Sequence, residues 1–103
     1  VATLRILSGP LASREHQFST RIVVGRAEAD VEIIDPEVSR QHMSLTPLES
    51  GVEVADLGSS NGTWIDDRRL TEPALLERAT TLRIGKTTLE ITPASFDETV
   101  IPG

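Results

Sequence analysis

Gly25-Arg26, Ser39-Arg40-Gln41-His42 and the run Asp56-Leu57-Gly58-Ser59-Ser60-Asn61-Gly62-Thr63 place two guanidinium groups, several hydroxyls, a carboxamide and glycine-flanked backbone amides in three short polar stretches. Arginine's planar fork suits bidentate contact with phosphate or carboxylate, and a carboxamide carries both the donor and the acceptor needed to read a main chain. With few acidic side chains in the motifs themselves, the three stretches would suit a bound dianion if they meet. Other chemistries are less complete. Ser39, His42 and Asp35 are the residue types of a hydrolase triad, but no nucleophile elbow accompanies them. Gly85-Lys86-Thr87 ends as a phosphate loop ends, yet Thr80 stands where that pattern requires its first glycine. Zero cysteines, with only His16 and His42 as imidazoles, leave no metal-ligand cluster. The expectation is therefore a domain that is not an enzyme and uses no metal or other cofactor. Asn61-Gly62-Thr63 also matches a glycosylation sequon, which no secretory signal precedes.

These stretches need a scaffold of strands. Short β-type segments recur between Gly, Pro, Asn, Asp and Ser clusters, and no helical periodicity is sustained, so the fold class is all-β. The spacing predicts strands over Thr3–Leu7, Gln17–Thr20, Arg21–Val24, Val31–Ile34, Met43–Leu45, Gly51–Ala55, Thr63–Ile65, Arg68–Leu70, Leu82–Ile84 and Thr87–Ile91, with hairpin turns at Asp66-Asp67 and Gly85-Lys86. Arg26 then stands at a strand exit, and Ser39 and Arg40 face outward from a loop. In a two-sheet sandwich such loops cluster at the ends, so the motifs can share one end.

Composition sets the outer bounds. A chain of 103 residues with 38% hydrophobic content fits one domain, expected over residues 1–93 with a flexible tail over 94–103. No apolar run approaches the ~20 residues that cross a bilayer, and the lack of cysteine fits a cytoplasmic protein, so no membrane association is expected. The net charge of −6 disfavours nucleic acid as a partner, because tracking a phosphate backbone needs clustered positive charge. The ten basic residues are arginine throughout except Lys86. The chain begins at Val1 and reads as a monomeric module belonging to a larger protein.

The order Gly-Arg, Ser-Arg-x-His, Asp-Leu-Gly-Ser-Ser-Asn-Gly-Thr and a closing Leu-x-Ile-Gly-x-Thr-x-Leu, from about Ile22 to Ile91, resembles the motif set of the forkhead-associated (FHA) family. FHA domains read phosphorylated motifs with arginine clusters. The resemblance implies a two-sheet β-sandwich of about eleven short, mainly antiparallel strands whose loop end binds phosphothreonine in preference to phosphoserine. It implies a phosphothreonine-dependent protein–protein interaction module in Ser/Thr kinase signalling, with a phosphothreonine-containing protein or peptide as partner.

Carried over by position, Arg26, Ser39, Arg40, Ser60 and Asn61 resemble the phosphopeptide-binding residues. Ser39 is the hydroxyl on a phosphate oxygen, and Asn61 the carboxamide on the peptide backbone. Gly25, His42, Gly62 and Thr63 resemble residues that support the site without touching ligand. Where the family usually has a Gly-Asp turn before its last hairpin, this chain has Arg78-Ala79-Thr80, which leaves the strand boundaries between Leu75 and Leu82 open. The alternative function is an FHA-like scaffold that binds protein without phosphate. In the tail, Thr99 follows Asp97-Glu98 and is a candidate phosphorylation site.

Overall fold

The computed structural model describes residues 1–94, so the expected tail beyond Ala94, including Thr99, lies outside the described residues. Eleven strands form two sheets, and no helix occurs among the described residues. The strands are β1 (Ala2–Ile6), β2 (Glu15–Phe18), β3 (Ile22–Gly25), β4 (Val31–Glu32), β5 (Met43–Leu48), β6 (Gly51–Asp56), β7 (Thr63–Ile65), β8 (Arg68–Arg69), β9 (Ala74–Leu76), β10 (Thr80–Ile84) and β11 (Thr87–Thr92). One sheet runs β2-β1-β11-β10-β7-β8 and the other β4-β3-β5-β6-β9, and every described pairing is antiparallel except β3 with β4.

The period-two pattern decides which side chains face inward. Leu4 and Ile6 of β1, Leu82 and Ile84 of β10, and Leu89 and Ile91 of β11 are fully buried. They meet Val24 of β3, Met43 and Leu45 of β5, and Val52 and Val54 of β6 from the other sheet in one apolar cluster. Each such side chain gains roughly 1.5–3 kcal/mol on leaving water, so this layer sets the frame from which the loops emerge.

Several boundaries differ from the sequence expectation. β4 stops at Glu32 instead of Ile34, because after Gly25 its parallel neighbour β3 ends and Ile34 stands 62% exposed. β5 runs on through Pro47, which pairs with Val52 of β6 beyond the last residue that pairs with β3. A proline is tolerated where one side of its strand has lost a neighbour. β9 lies outside the strands that the spacing predicts. It is a three-residue strand held to β6 by the Val52–Leu76 to Val54–Ala74 register. At Arg78-Ala79-Thr80, Ala79 does not take a positive φ, and Thr80 Oγ1 donates to Arg78 O at 2.8 Å as β10 begins. Asp66 and Asp67 make the β7–β8 turn with φ of 47° and 67°, the conformation of a tight type I′ hairpin.

Candidate functional site

Three connections meet at one end of the sandwich: the exit of β3, the long β4–β5 connection and the β6–β7 loop. Backbone bonds join the first two. Arg26 N donates to Ser39 O at 2.9 Å, Ala27 N to Arg40 O at 3.2 Å and His42 N to Val24 O at 2.9 Å. Gly25 makes this approach possible, since a Cβ at that position would overlap the Arg40 carbonyl. Arg26 Nε donates to Val38 O at 3.0 Å, which fixes its stem while its Nη atoms find no protein acceptor among the described residues.

The second and third connections are joined by side chains. His42, fully buried, accepts the Ser39 amide on Nδ1 at 3.0 Å. That bond puts its ring proton on Nε2, which donates to Gly62 O at 2.8 Å. The imidazole is thus a neutral cross-brace, and the contact of 4.0 Å between Nε2 and Asp56 is no ion pair in this tautomer. Ser39 Oγ accepts the Ser60 amide at 3.1 Å, and Asn61 Nδ2 donates to Glu37 O at 2.8 Å.

Asp56, at the end of β6, shapes the β6–β7 loop from within. Its Oδ2 accepts the amides of Gly58 and Ser59, and its Oδ1 accepts the hydroxyls of Ser59 at 2.6 Å and Thr63 at 2.8 Å. Ser59 Oγ in turn accepts Gly62 N at 2.9 Å. Burial by itself would raise the Asp56 pKa, but the combined bonds from Ser59, Thr63 and Gly58 outweigh it and hold the carboxyl below its ordinary value. Asp35 is a second hub. Its carboxylate accepts Glu37 N, Lys86 N and Thr87 Oγ1, so it ties the β4–β5 connection to the β10–β11 turn. Burial again pushes upward and is outweighed, chiefly by the Glu37 amide and the Thr87 hydroxyl, leaving Asp35 lowered.

The structure therefore gathers Arg26, Ser39, Arg40, Ser60 and Asn61 on one solvent-facing end, with Gly25, His42, Gly62 and Thr63 beneath or beside them. Arg40 is exposed and lies 3.7 Å from Glu28. The triad geometry is absent: both His42 nitrogens are committed to the backbone, Ser39 Oγ accepts from Ser60, and Asp35 is turned toward the β10–β11 hairpin. Sequence reasoning gave no role to Ser59 or to the Asp56 and Asp35 hubs. The signal available for Asp56 was an acid three residues before a serine in a glycine-bearing turn, the pattern of a side chain that caps its own loop.

The chain matches, over residues 5–95, the family model described as the inner membrane component of T3SS, cytoplasmic domain. It is 36% identical over 92 residues to the FHA domain-containing protein FhaB of Mycolicibacterium smegmatis, an alignment that covers 87% of this chain and 59% of that protein. Against FhaB of Mycobacterium tuberculosis the share is 47%, so the chain spans about half to three fifths of these relatives. Among solved structures, the FhaA FHA domain complexed with the intracellular domain of Rv3910 superposes with a TM-score of 0.78 at 25% identity, covering 88% of this chain and 99% of that one. An FHA structure from work on phosphothreonine-dependent FHA domain interactions also gives 0.78, at 22% identity over 92% of this chain and 98% of that one, a likeness of fold.

Proposed function

This chain belongs to the forkhead-associated family, of which the matched T3SS cytoplasmic domain is one type, and we propose that its loop end binds a phosphothreonine in a partner protein. The observation that carries this reading is the meeting of Arg26, Ser39, Arg40, Ser60 and Asn61 on one exposed end, braced from below by His42 and Asp56. A phosphate of about −1.5 to −2 charge fits between the free Nη edge of Arg26, the Ser39 hydroxyl and the Ser60 segment. Arg40 joins by exchanging its exposed Glu28 partner for the phosphate. Asn61 spends one amide hydrogen on Glu37 O and keeps its other hydrogen and its Oδ1 for the peptide main chain. The FhaA FHA domain, 25% identical and solved in complex with the intracellular domain of another protein, supports the reading of a protein-binding module. The module would act inside a larger cytoplasmic protein, without catalysis or cofactor.

Charge-assisted hydrogen bonds contribute about 1.5–3 kcal/mol each, so a few of them with main-chain contacts reach the ~8 kcal/mol of a micromolar complex. Titration of a phosphothreonine peptide and its unphosphorylated twin, followed by anisotropy, should show binding of the first alone. Arg26→Ala and Ser39→Ala should each weaken it by about 1–3 kcal/mol while the fold persists. Equal affinity for both peptides would instead support the second reading, a scaffold that binds protein without phosphate.

A further inference from the structure

We propose that a basic and aromatic ladder on the outer face of the β10-β7-β8 sheet edge, made of Arg83, Trp64 and Arg69, extends the phosphothreonine site and receives an acidic flank of the same peptide. The inference rests on the phosphothreonine reading and adds to it the kind of sequence the ligand should carry.

Arg83 of β10 and Arg69 of β8 lie directly opposite Trp64 of β7 in the two antiparallel registers. Residues so paired share one face of a sheet, and because Ile65, Leu82 and Ile84 point to the core, this face is the outer one. The Arg83 guanidinium stacks 5.0 Å from the Trp64 ring centroid, and its Nη1 reaches Gly85 O at 3.4 Å. Both contacts draw it toward the loop end. Arg69 lies across the β6–β7 loop, because a Cβ on Gly62 would stand 2.6 Å from Arg69 Nε. The indole Nε1 of Trp64 donates to Asn61 O at 3.0 Å.

The ladder is thus continuous with the loop that carries Ser60 and Asn61. Neither Arg69 nor Arg83 has a carboxylate within salt-bridge distance among the described residues. Asp66 and Asp67 of the β7–β8 turn bound the far side of the cleft beside Arg83. Farther across the same face Arg5 is already paired with Glu15 at 3.9 Å. In a chain of net charge −6, Arg69 and Arg83 stand with Arg26 as guanidiniums at this end that have no carboxylate partner among the described residues. A planar guanidinium stacked on an indole keeps its edge open for a carboxylate or phosphate. A peptide anchored at Arg26 and Ser39 and held by Asn61 has this surface next to it. Its complement there is an anionic side chain, Asp, Glu or a second phosphorylated residue.

Trp64 is the sole tryptophan, so its indole N–H gives one resonance, bonded to Asn61 O where the ladder meets the site. The experiment titrates the isotope-labelled protein with phosphothreonine peptides whose flanks carry Glu, Gln or phosphoserine, and with an unphosphorylated Glu-rich peptide. The Glu and phosphoserine flanks should bind about three- to tenfold tighter than Gln at low salt and move the Trp64 indole signal beyond the shift that the Gln flank gives, and the preference should shrink as salt rises. The charge-removing pair Arg69→Gln and Arg83→Gln should erase the preference and leave the affinity for the Gln-flanked peptide unchanged. Equal affinity for all flanks, or a preference that survives in the double variant, overturns the proposal. If no phosphothreonine peptide binds, the function proposed above fails. The ladder is then decided by the Glu-rich peptide: movement of the Trp64 signal that the double variant abolishes supports it, and no movement overturns it.

Discussion

At the scale of single residues, what matters is which atoms are left over after the loops have bonded to one another. His42 has none left, since Nδ1 accepts from Ser39 and Nε2 donates to Gly62 O. Its removal would strand an amide and a buried carbonyl and open a cavity between two loops. His42→Ala is therefore expected to lower stability by about 2–3 kcal/mol, seen as a lower urea midpoint with an unchanged slope. A melt indistinguishable from the parent protein would mean that the brace is dispensable. Phosphopeptide affinity should fall as a consequence of loosened loops. The histidine and Ser60 were legible in the sequence through their places in the motif, but the role of Ser59 was not. Both are serines in one polar turn. Only the loop's path makes Ser59 buried and bonded to Asp56 while Ser60 stays exposed and offers its amide to Ser39.

At the scale of elements, the site motifs could be read because each answers a backbone demand that few residue types meet, whereas strand ends could not, because pairing partners decide them. Pro47 reads as a strand breaker, yet it lies inside β5 because β3 has already ended beside it. Ala74-Leu75-Leu76 carries little β preference and is a strand only because β6 pairs with it, with Leu76 buried and Leu75 42% exposed. Gly25 is the opposite case, a position fixed by local geometry. There a Cβ would meet backbone, the carbonyl of Arg40, and backbone cannot swing aside as a side chain can. Gly25→Ala should push the β4–β5 connection away from β3 and break the bonds from Arg26 N and Ala27 N to Ser39 O and Arg40 O. Hydrogen exchange checks this: the amides of Arg26 and Ala27 should lose protection while those of β10 and β11 keep theirs. Unchanged protection at both amides would show that the loop absorbs the methyl group without moving.

At the scale of the whole molecule, the two sheets are held together by the apolar core and, at the loop end, by a carboxylate. Asp35 leaves the β4 side and accepts two donors, Lys86 N and Thr87 Oγ1, from the hairpin between β10 and β11 of the opposite sheet. Asp56 does the equivalent within the β6–β7 loop. Both carboxyls are held below their ordinary value of 3.8 in the folded chain, so the unfolded state binds protons more readily than the folded one. Their contribution to stability is accordingly full at pH values above about 4 and is lost as pH falls through the lowered folded values. Stability should be nearly level from pH 7 to 5 on their account and decline steeply below pH ~4. Asp35→Asn separates this effect from general acid denaturation, because the amide turns an N–H₂ toward donors that the carboxylate had satisfied and has no proton to gain. The variant should be less stable than the parent at pH 7, and the gap should narrow below about pH 4, where the unfolded parent takes up a proton that its folded carboxyl resists. Urea melts of both proteins at pH 7, 5 and 3 measure the gap directly. A gap that stayed constant across that range would place the value of Asp35 in its shape instead of its charge. The coupling between the sheets at the loop end would then owe nothing to ionisation.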